Sequence, residues 1–219
     1  MMHKVSDVKV EQDILRINKR IASENRELFD SNKITAFNVM GAIGSGKTCM
    51  IERAIEELKD RYTIAVLAGD VVAKYDSDRF SAHGVKSIPV STGKECHLDA
   101  HFIEHAIDHL DLSSTDILFI ENVGNLICPS DFDLGEHKKV VIVSVSEGDD
   151  IVLKHPVIFK NADLTIVNKV DIAEYVGASA EKMVKDSKTC GCDMVLSTSC
   201  KNGDGVDEWI QFIVDSMER

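Results

Sequence analysis

The sequence has no apolar run long enough to cross a bilayer, no cluster of basic residues, and no internal repeat, low-complexity tract or evident linker. A membrane-embedded chain is therefore not expected. Met1 to Ile14 carries Asp7, Glu11 and Asp13 where a secretory signal would place basic and then apolar residues, so the expected compartment is the cytoplasm. Positive charge is in deficit: 25 Lys and Arg stand against 37 Asp and Glu, a formal charge of −12 at pH 7. Such an excess of carboxylates repels nucleic-acid backbones and anionic membrane surfaces. A protein, a small molecule or a metal ion is the expected partner. In a reducing compartment the six cysteines read as thiols or metal ligands, not as a disulfide framework.

What is present suffices for a core. Of 219 residues 44% are hydrophobic, and the length suits one domain over 1–219. Val10, Ile14, Ile17, Ile21 and Leu28 recur at roughly helical spacing, which predicts an extra N-terminal helix over about 8–30 packed on the main domain. Apolar strands then alternate with helices. Strands are predicted at 34–40, 62–68, 85–90, 117–120, 140–145, 164–167 and just before 196. Helices are predicted from the turn at 41–48 to about 60, and at 97–110, 179–188 and 206–217. This order predicts a doubly wound, mainly parallel α/β sheet.

Gly41, Ala42, Ile43, Gly44, Ser45, Gly46, Lys47 and Thr48 match the complete G-x-x-x-x-G-K-[ST] pattern between a strand and a helix. The glycines permit a tight turn whose N–H groups face phosphates, and the helix N-terminus adds a favourable field. Lys47 is expected to reach the β- and γ-phosphates and the Thr48 hydroxyl to bind Mg²⁺. The base is chosen further on, by Asn168-Lys169-Val170-Asp171, which resembles the N-K-x-D element of GTPases. By that resemblance Asp171 accepts from guanine, Asn168 holds base and loop, and the Lys169 stem lies along the ring. Adenine would leave the Asp171 carboxylate poorly paired. Ser199-Cys200-Lys201 resembles the S-A-K element that closes over guanine, with cysteine in place of alanine. Glu121 ends a buried strand and suits Mg²⁺ contact directly or through water, and Gly124 behind it is a candidate switch position. Of Asp70 and Asp76, after the second strand, one is expected near Mg²⁺ or the attacking water. The sequence offers no obvious catalytic glutamine.

Cys96-His97 and Cys128-Pro129 lie near the ends of strands that flank the nucleotide. Thiolates and imidazole suit Zn²⁺ or Ni²⁺, and a two-fold dimer could complete a shell that three ligands leave open. Cys96-His97 is expected to open a helix on which His101 and His105 share the face of His97, directed to solvent. Cys49 is expected to pack beneath the nucleotide, and Cys190 and Cys192 are given no site.

At these residues the chain resembles the HypB family, the hydrogenase nickel-incorporation GTPases among the metal-handling P-loop GTPases. The likeness runs from Ala36 to the C-terminus. Its discriminating strings are Thr92-Gly-Lys-Glu-Cys-His-Leu-Asp-Ala100, Glu121-Asn-Val-Gly-Asn-Leu-Ile-Cys128 and Glu147-Gly-Asp-Asp150. The resemblance implies a GTP-hydrolysing homodimer that handles Ni²⁺ and also binds Zn²⁺. It would deliver nickel to the [NiFe] hydrogenase large-subunit precursor with the companion chaperone HypA. It implies Cys96, His97 and Cys128 as metal ligands, Asp76 as the switch aspartate near Mg²⁺, and Lys47, Asp76 and Glu121 as the catalytic set. The N-terminal cysteine motif and histidine-rich tract of some bacterial members have no counterpart here. A urease-type nickel-insertion GTPase and a nucleotide-gated structural adaptor are the alternatives. The former typically carries C-P-H, where this chain has Glu95-Cys96-His97 and a separate Cys128-Pro129.

Overall fold

The computed structural model describes residues 3–70, 73–93 and 95–218, with side chains described from Gln12 onward. The side chain of Val10 and the whole of Lys94 lie outside that description. Among the described residues seven strands form one sheet: β1 (Thr35–Met40), β2 (Ile64–Asp70), β3 (Lys86–Ser91), β4 (Ile117–Glu121), β5 (Lys138–Ser144), β6 (Leu164–Asn168) and β7 (Val195–Ser197). All neighbours pair in parallel, in the order β3-β2-β4-β1-β5-β6-β7. The interior strands are near-continuous runs of Val, Ile, Leu and Phe because helices cover both faces of the sheet. β1 lies between strands whose connections run to opposite sides. Such a reversal opens a crevice at the carboxyl ends of the strands.

The helices are α1 (His3–Ser31), α2 (Lys47–Leu58), α3 (Lys74–Ala82), α4 (Ala100–Ile107), α5 (Ile151–Lys154), α6 (Pro156–Lys160), α7 (Ala173–Val176), α8 (Ala180–Cys190) and α9 (Val206–Met217). On one face α2 and α9 bury Met50, Ile51, Ile55, Trp209 and Phe212 against Phe37, Phe119 and Ile142. On the other face α1 and α4 bring Phe29, Ile103 and Ile107 onto Ala36, Leu118 and Ile120. Val152, Phe159 and Met183 of α5, α6 and α8 cover Val141, Val143 and Val167. The strand period of two thus sends alternate residues to two different cores.

α1 packs on the sheet as expected, but by a different face. Ile21 and Phe29 are buried, whereas Ile14 and Ile17 are half exposed. Amides dock the helix instead. The Asn18 amide donates to Asp133 O at 2.8 Å and accepts from the Ala100 N–H at 2.8 Å. Asn25 donates to Ala100 O and Leu134 O at 2.9 and 3.0 Å. The predicted helix over 97–110 begins only at Ala100, because the Asp99 carboxylate accepts from the N–H groups of His101 and Phe102 and caps it there.

A buried polar chain crosses the second face. Asn122 donates to Asn38 Oδ1 at 3.1 Å, and Asn38 donates to Glu136 Oε1 at 3.1 Å. Asn122 Oδ1 also accepts from the N–H groups of Leu98 and Val123. It joins β1 to β4 and to the segment leading into α4.

Trp209 fixes α9 on α2. It is fully buried, its indole N–H donates to Met50 O at 3.0 Å, and its ring stacks on Phe212. Trp209→Ala is expected to lower unfolding stability by about 3–5 kcal/mol, read as a shift in the urea midpoint. A shift no larger than that of an exposed-site control would contradict this packing role.

Candidate nucleotide and metal sites

The loop from β1 to α2 lies at the carboxyl end of the sheet, beside a cleft of about 360 Å³ lined by Gly44, Lys47, Thr48, Asp76, Glu121 and Lys169, among others. A larger hollow of about 780 Å³, lined in part by Thr63, Ile64, Lys86 and Asp116, lies at the opposite strand ends. The crevice at the carboxyl ends is where open α/β sheets bind ligands, so the smaller cleft is the candidate. Lys47 Nζ donates to the carbonyls of Gly41 and Ala42, both at 3.1 Å, and so spans the mouth of the loop. Gly46 is left-handed (φ 107°), and a Cβ there would sit 2.2 Å from Asn168 Nδ2. Only glycine lets the phosphate loop approach the base motif so closely.

Thr48 Oγ1 donates to Glu121 Oε1 at 2.7 Å, with Asp76 Oδ1 3.5 Å away. Glu121 follows Phe119 on the α2 side of β4, which is why it meets Thr48. Its second oxygen is buried and has no hydrogen-bond partner among the described residues. Burial pushes Glu121 up to about 7 against the opposing pull of Lys47, and burial likewise lowers Lys47. A hydroxyl and two carboxylates, one of them with a spare buried oxygen, form a donor set suited to a hard divalent cation such as Mg²⁺. Asp70 ends β2 and lines the same cleft, while Asp76 occupies the first turn of α3. The sequence reading missed Arg79. Its guanidinium pairs with Glu52 at 2.6 Å and lies 3.7 Å from Asp76, and its only sequence signal is its place one turn after that aspartate.

The Asn168–Asp171 motif is assembled by hydrogen bonds within the chain. Asn168 Nδ2 donates to Ser45 O at 2.9 Å, and its Oδ1 accepts from Thr198 Oγ1 and the Cys200 N–H at 3.0 and 3.3 Å. Lys169 is left-handed (φ 62°), and its Nζ donates to Gly44 O at 2.6 Å. Ser199 Oγ donates to Asp171 Oδ1 at 2.7 Å, and Lys201 is exposed on the loop that follows. One expectation fails here. Cys49 and Cys200, expected as thiols, are disulfide-bonded across 151 residues of sequence. The fold brings the first turn of α2 onto the loop after β7, a proximity that residue types alone do not reveal. Cys190 and Cys192 remain thiols.

The structure brings Cys96, His97 and Cys128 together, their candidate ligand atoms all within 4.8 Å of one another. The two sulfurs are 2.9 Å apart, and Cys96 Sγ is 3.8 Å from His97 Nδ1. The Cys128 sulfur, ahead of burial, pushes the Cys96 thiol up. Two thiols and an imidazole form a soft donor set suited to Zn²⁺ or Ni²⁺. His97 precedes α4, so His101 and His105 do not share a helical face with it. They are exposed, their Nε2 atoms 3.2 Å apart.

The phosphate loop and this cluster share one connection, also missed by the sequence reading. Asn125 forms an antiparallel bridge with Gly41. Its Nδ2 donates to Cys96 O at 3.2 Å, and its Oδ1 accepts from the Ile127 N–H at 2.9 Å. A Cβ at Gly124 would sit 2.3 Å from Ile43 Cγ1, so the segment after β4 lies directly on the phosphate loop.

Residues 35–195 match the family model for the CobW/HypB/UreG nucleotide-binding domain. A probable hydrogenase maturation factor HypB from Methanocaldococcus jannaschii is 52% identical over 218 residues, covering 99% of each chain. The chain belongs to the HypB hydrogenase maturation factors of that family. HypB from Archaeoglobus fulgidus is similar in structure, with TM-score 0.88 and 50% identity over 93% of this chain and all of that one. HypB from Helicobacter pylori, solved in complex with nickel, has TM-score 0.86 and 35% identity over 91% and 94% of the two chains. Among the described residues no helix is long and apolar enough to cross a membrane.

Two outcomes are expected. The folded Glu121 carboxyl titrates near 7 and its unfolded counterpart near 4.5, so between those values the folded state binds more protons. Stability of the metal-free protein in chelator should therefore decline as pH rises through that window, and Glu121→Gln should remove this decline. Superimposable melting-temperature profiles for the two proteins would contradict the burial argument. At the other site, Cys96→Ser and Cys128→Ser should each weaken Ni²⁺ or Zn²⁺ binding by roughly tenfold or more, measured by competition with a chromogenic chelator.

Proposed function

We propose that the chain, as one P-loop GTPase domain over 1–219, binds GTP with Mg²⁺, hydrolyses it, and couples the nucleotide state to a Ni²⁺ or Zn²⁺ site. In this reading it is a cytoplasmic homodimer that passes nickel to the precursor of the [NiFe] hydrogenase large subunit, with HypA as companion. The observation that carries the proposal is the Gly41–Asn125 bridge, because Asn125 also holds the backbone of Cys96 and of Ile127, next to Cys128. A rearrangement at the phosphate loop therefore has a short, hydrogen-bonded route to all three candidate ligands.

Each residue takes a defined role. The N–H groups of 41–48 and the N-terminus of α2 face the phosphates, and Lys47 exchanges its two loop carbonyls for phosphate oxygens. Mg²⁺, when bound, would neutralise developing charge on the phosphates. Thr48, Asp76 and Glu121 would hold it directly or through water. Water attacks the γ-phosphorus as the bond to the β–γ bridging oxygen breaks, giving GDP and phosphate. Asp171 accepts from the guanine edge, Asn168 braces it, the Lys169 stem flanks the ring, and Ser199, Cys200 and Lys201 close the loop. Two copies of Cys96, His97 and Cys128 across a two-fold axis supply enough ligands for a closed metal site. If the nucleotide favours that dimer, metal bridging the dimer must tighten nucleotide binding in return.

Isothermal titration should show wild type preferring GTP to ATP, with Asp171→Ala losing most of that preference. Equal wild-type affinities would sink the guanine assignment. For the coupling, the dimer dissociation constant should fall with a GTP analogue relative to GDP, and fall further with Ni²⁺. A constant indifferent to both would reject the coupling even if nucleotide and metal each bind.

A further inference from the structure

The loop 198–205, between β7 and α9, carries Ser199, Cys200 and Lys201 of the base-recognition set. It springs from an edge strand of three residues, none of them fully buried, and 201–204 are exposed. Its base, 198–200, is buried and hydrogen-bonded: Thr198 Oγ1 donates to Asn168 Oδ1, and the Ser199 backbone pairs with Asp204. Ser199 bonds Asp171, the Cys200 N–H reaches Asn168, and Arg53 donates from α2 to Cys200 O at 3.1 and 3.2 Å. The exposed tip, 201–204, is the part of the loop that local opening reaches most easily. The Cys49–Cys200 disulfide ties the loop to the first turn of α2, one residue beyond Thr48. The bond thus joins the phosphate end of the nucleotide cleft to its base end.

We propose that Cys49–Cys200 is a reversible thiol-responsive latch on the base-recognition loop, closed as the disulfide and open as two thiols, which sets the rate of nucleotide exchange. The proposal rests on the guanine-nucleotide reading above. Closed, the bond removes the open-loop conformations through which the base leaves, because Cys200 cannot move away from α2. Opened, the loop is held by hydrogen bonds alone, and it swings on β7 when those to Asp171, Asn168 and Arg53 break.

The chemistry balances as thiol–disulfide exchange with a low-molecular-weight or protein dithiol. Cys49 is partly exposed and lines the cleft, whereas Cys200 is buried, so Cys49 Sγ is the accessible sulfur. One thiolate of the dithiol attacks it, forming a mixed disulfide and expelling the Cys200 thiolate, which takes up a proton. The second thiol of the reductant displaces Cys49 as its thiol and leaves as a disulfide. Two electrons and two protons pass to the protein, and an oxidised dithiol drives the reverse. The latch is distinct from Cys96 and Cys128, whose sulfurs are not bonded to each other.

The test uses full-length protein equilibrated with reduced or oxidised dithiothreitol. Peptide mapping by mass spectrometry follows the 49–200 linkage. Hydrogen exchange reads the 198–205 loop without nucleotide, and stopped-flow fluorescence reads release of a fluorescent GDP analogue. Oxidised wild type should protect the loop and release the analogue several-fold more slowly than reduced protein. Cys49→Ser should release at one rate in both media, while the Cys96→Ser/Cys128→Ser double variant should keep the full redox response. Loop exchange that does not depend on redox state, or a response lost in the double variant and kept in Cys49→Ser, overturns the latch. Equal release rates from oxidised and reduced wild type overturn its control of exchange. Failure to bind guanine nucleotide in either state is instead a failure of the guanine reading, and loop exchange still decides whether the latch exists.

Discussion

The contact between the Thr48 hydroxyl and the buried Glu121 carboxylate, with Lys47 close by, is the interaction on which the rest of the site depends. A carboxylate without solvent is tolerable only beside compensating charge and donors, and here the Thr48 hydroxyl, Lys47 and, further off, Arg79 supply them. The lysine is itself desolvated, so each group leans on the other. This arrangement requires β1 and β4 to be neighbours, because the loop that carries Lys47 and Thr48 follows β1 while Glu121 ends β4. The strand order meets that requirement by placing β4 directly against β1.

From this pair outward the architecture is a chain of short contacts. The residues after Glu121 turn back over the phosphate loop at Gly124 and bridge it at Asn125. Three residues later the chain reaches Cys128, whose sulfur meets that of Cys96. Oxygen donors collect at one end of the cleft and sulfur and nitrogen donors beyond the Asn125 bridge. One connected loop system thus carries a donor set suited to hard cations and another suited to soft ones.

Much of this was legible in the sequence, for a physical reason. The phosphate loop and the Asn168–Asp171 motif work through contiguous backbone, so their spacing survives in one dimension. Cys96, His97 and Cys128 were legible as a set mainly through their resemblance to a family, since cysteines and histidines alone are ambiguous. What escaped was whatever depends on distant segments meeting. Asn125 was invisible as a bridge because its partners, Gly41 and Cys96, lie far from it along the chain. The Cys49–Cys200 bond was missed because compartment was made to argue for free thiols. The inward face of α1 was misread because amides, not the apolar Ile14 and Ile17, dock the helix, and the start of α4 because Asp99, two residues after His97, caps it.

The buried amide chain of Asn122, Asn38 and Glu136 has a bearing on how such a protein can change over generations. Its hydrogen bonds pair particular positions of β1 and the end of β4, and a one-residue slip of β4 would send Asn122 and Glu121 to the wrong faces of the sheet. The chain therefore works as a ruler. Substitutions that keep residue size can accumulate along the apolar strands, whereas a single insertion or deletion within β4 would break the measure between Thr48 and Glu121 even if every hydrophobic residue stayed buried. Length variation in this lineage should accordingly collect in the surface connections, with strand lengths at the centre of the sheet left untouched.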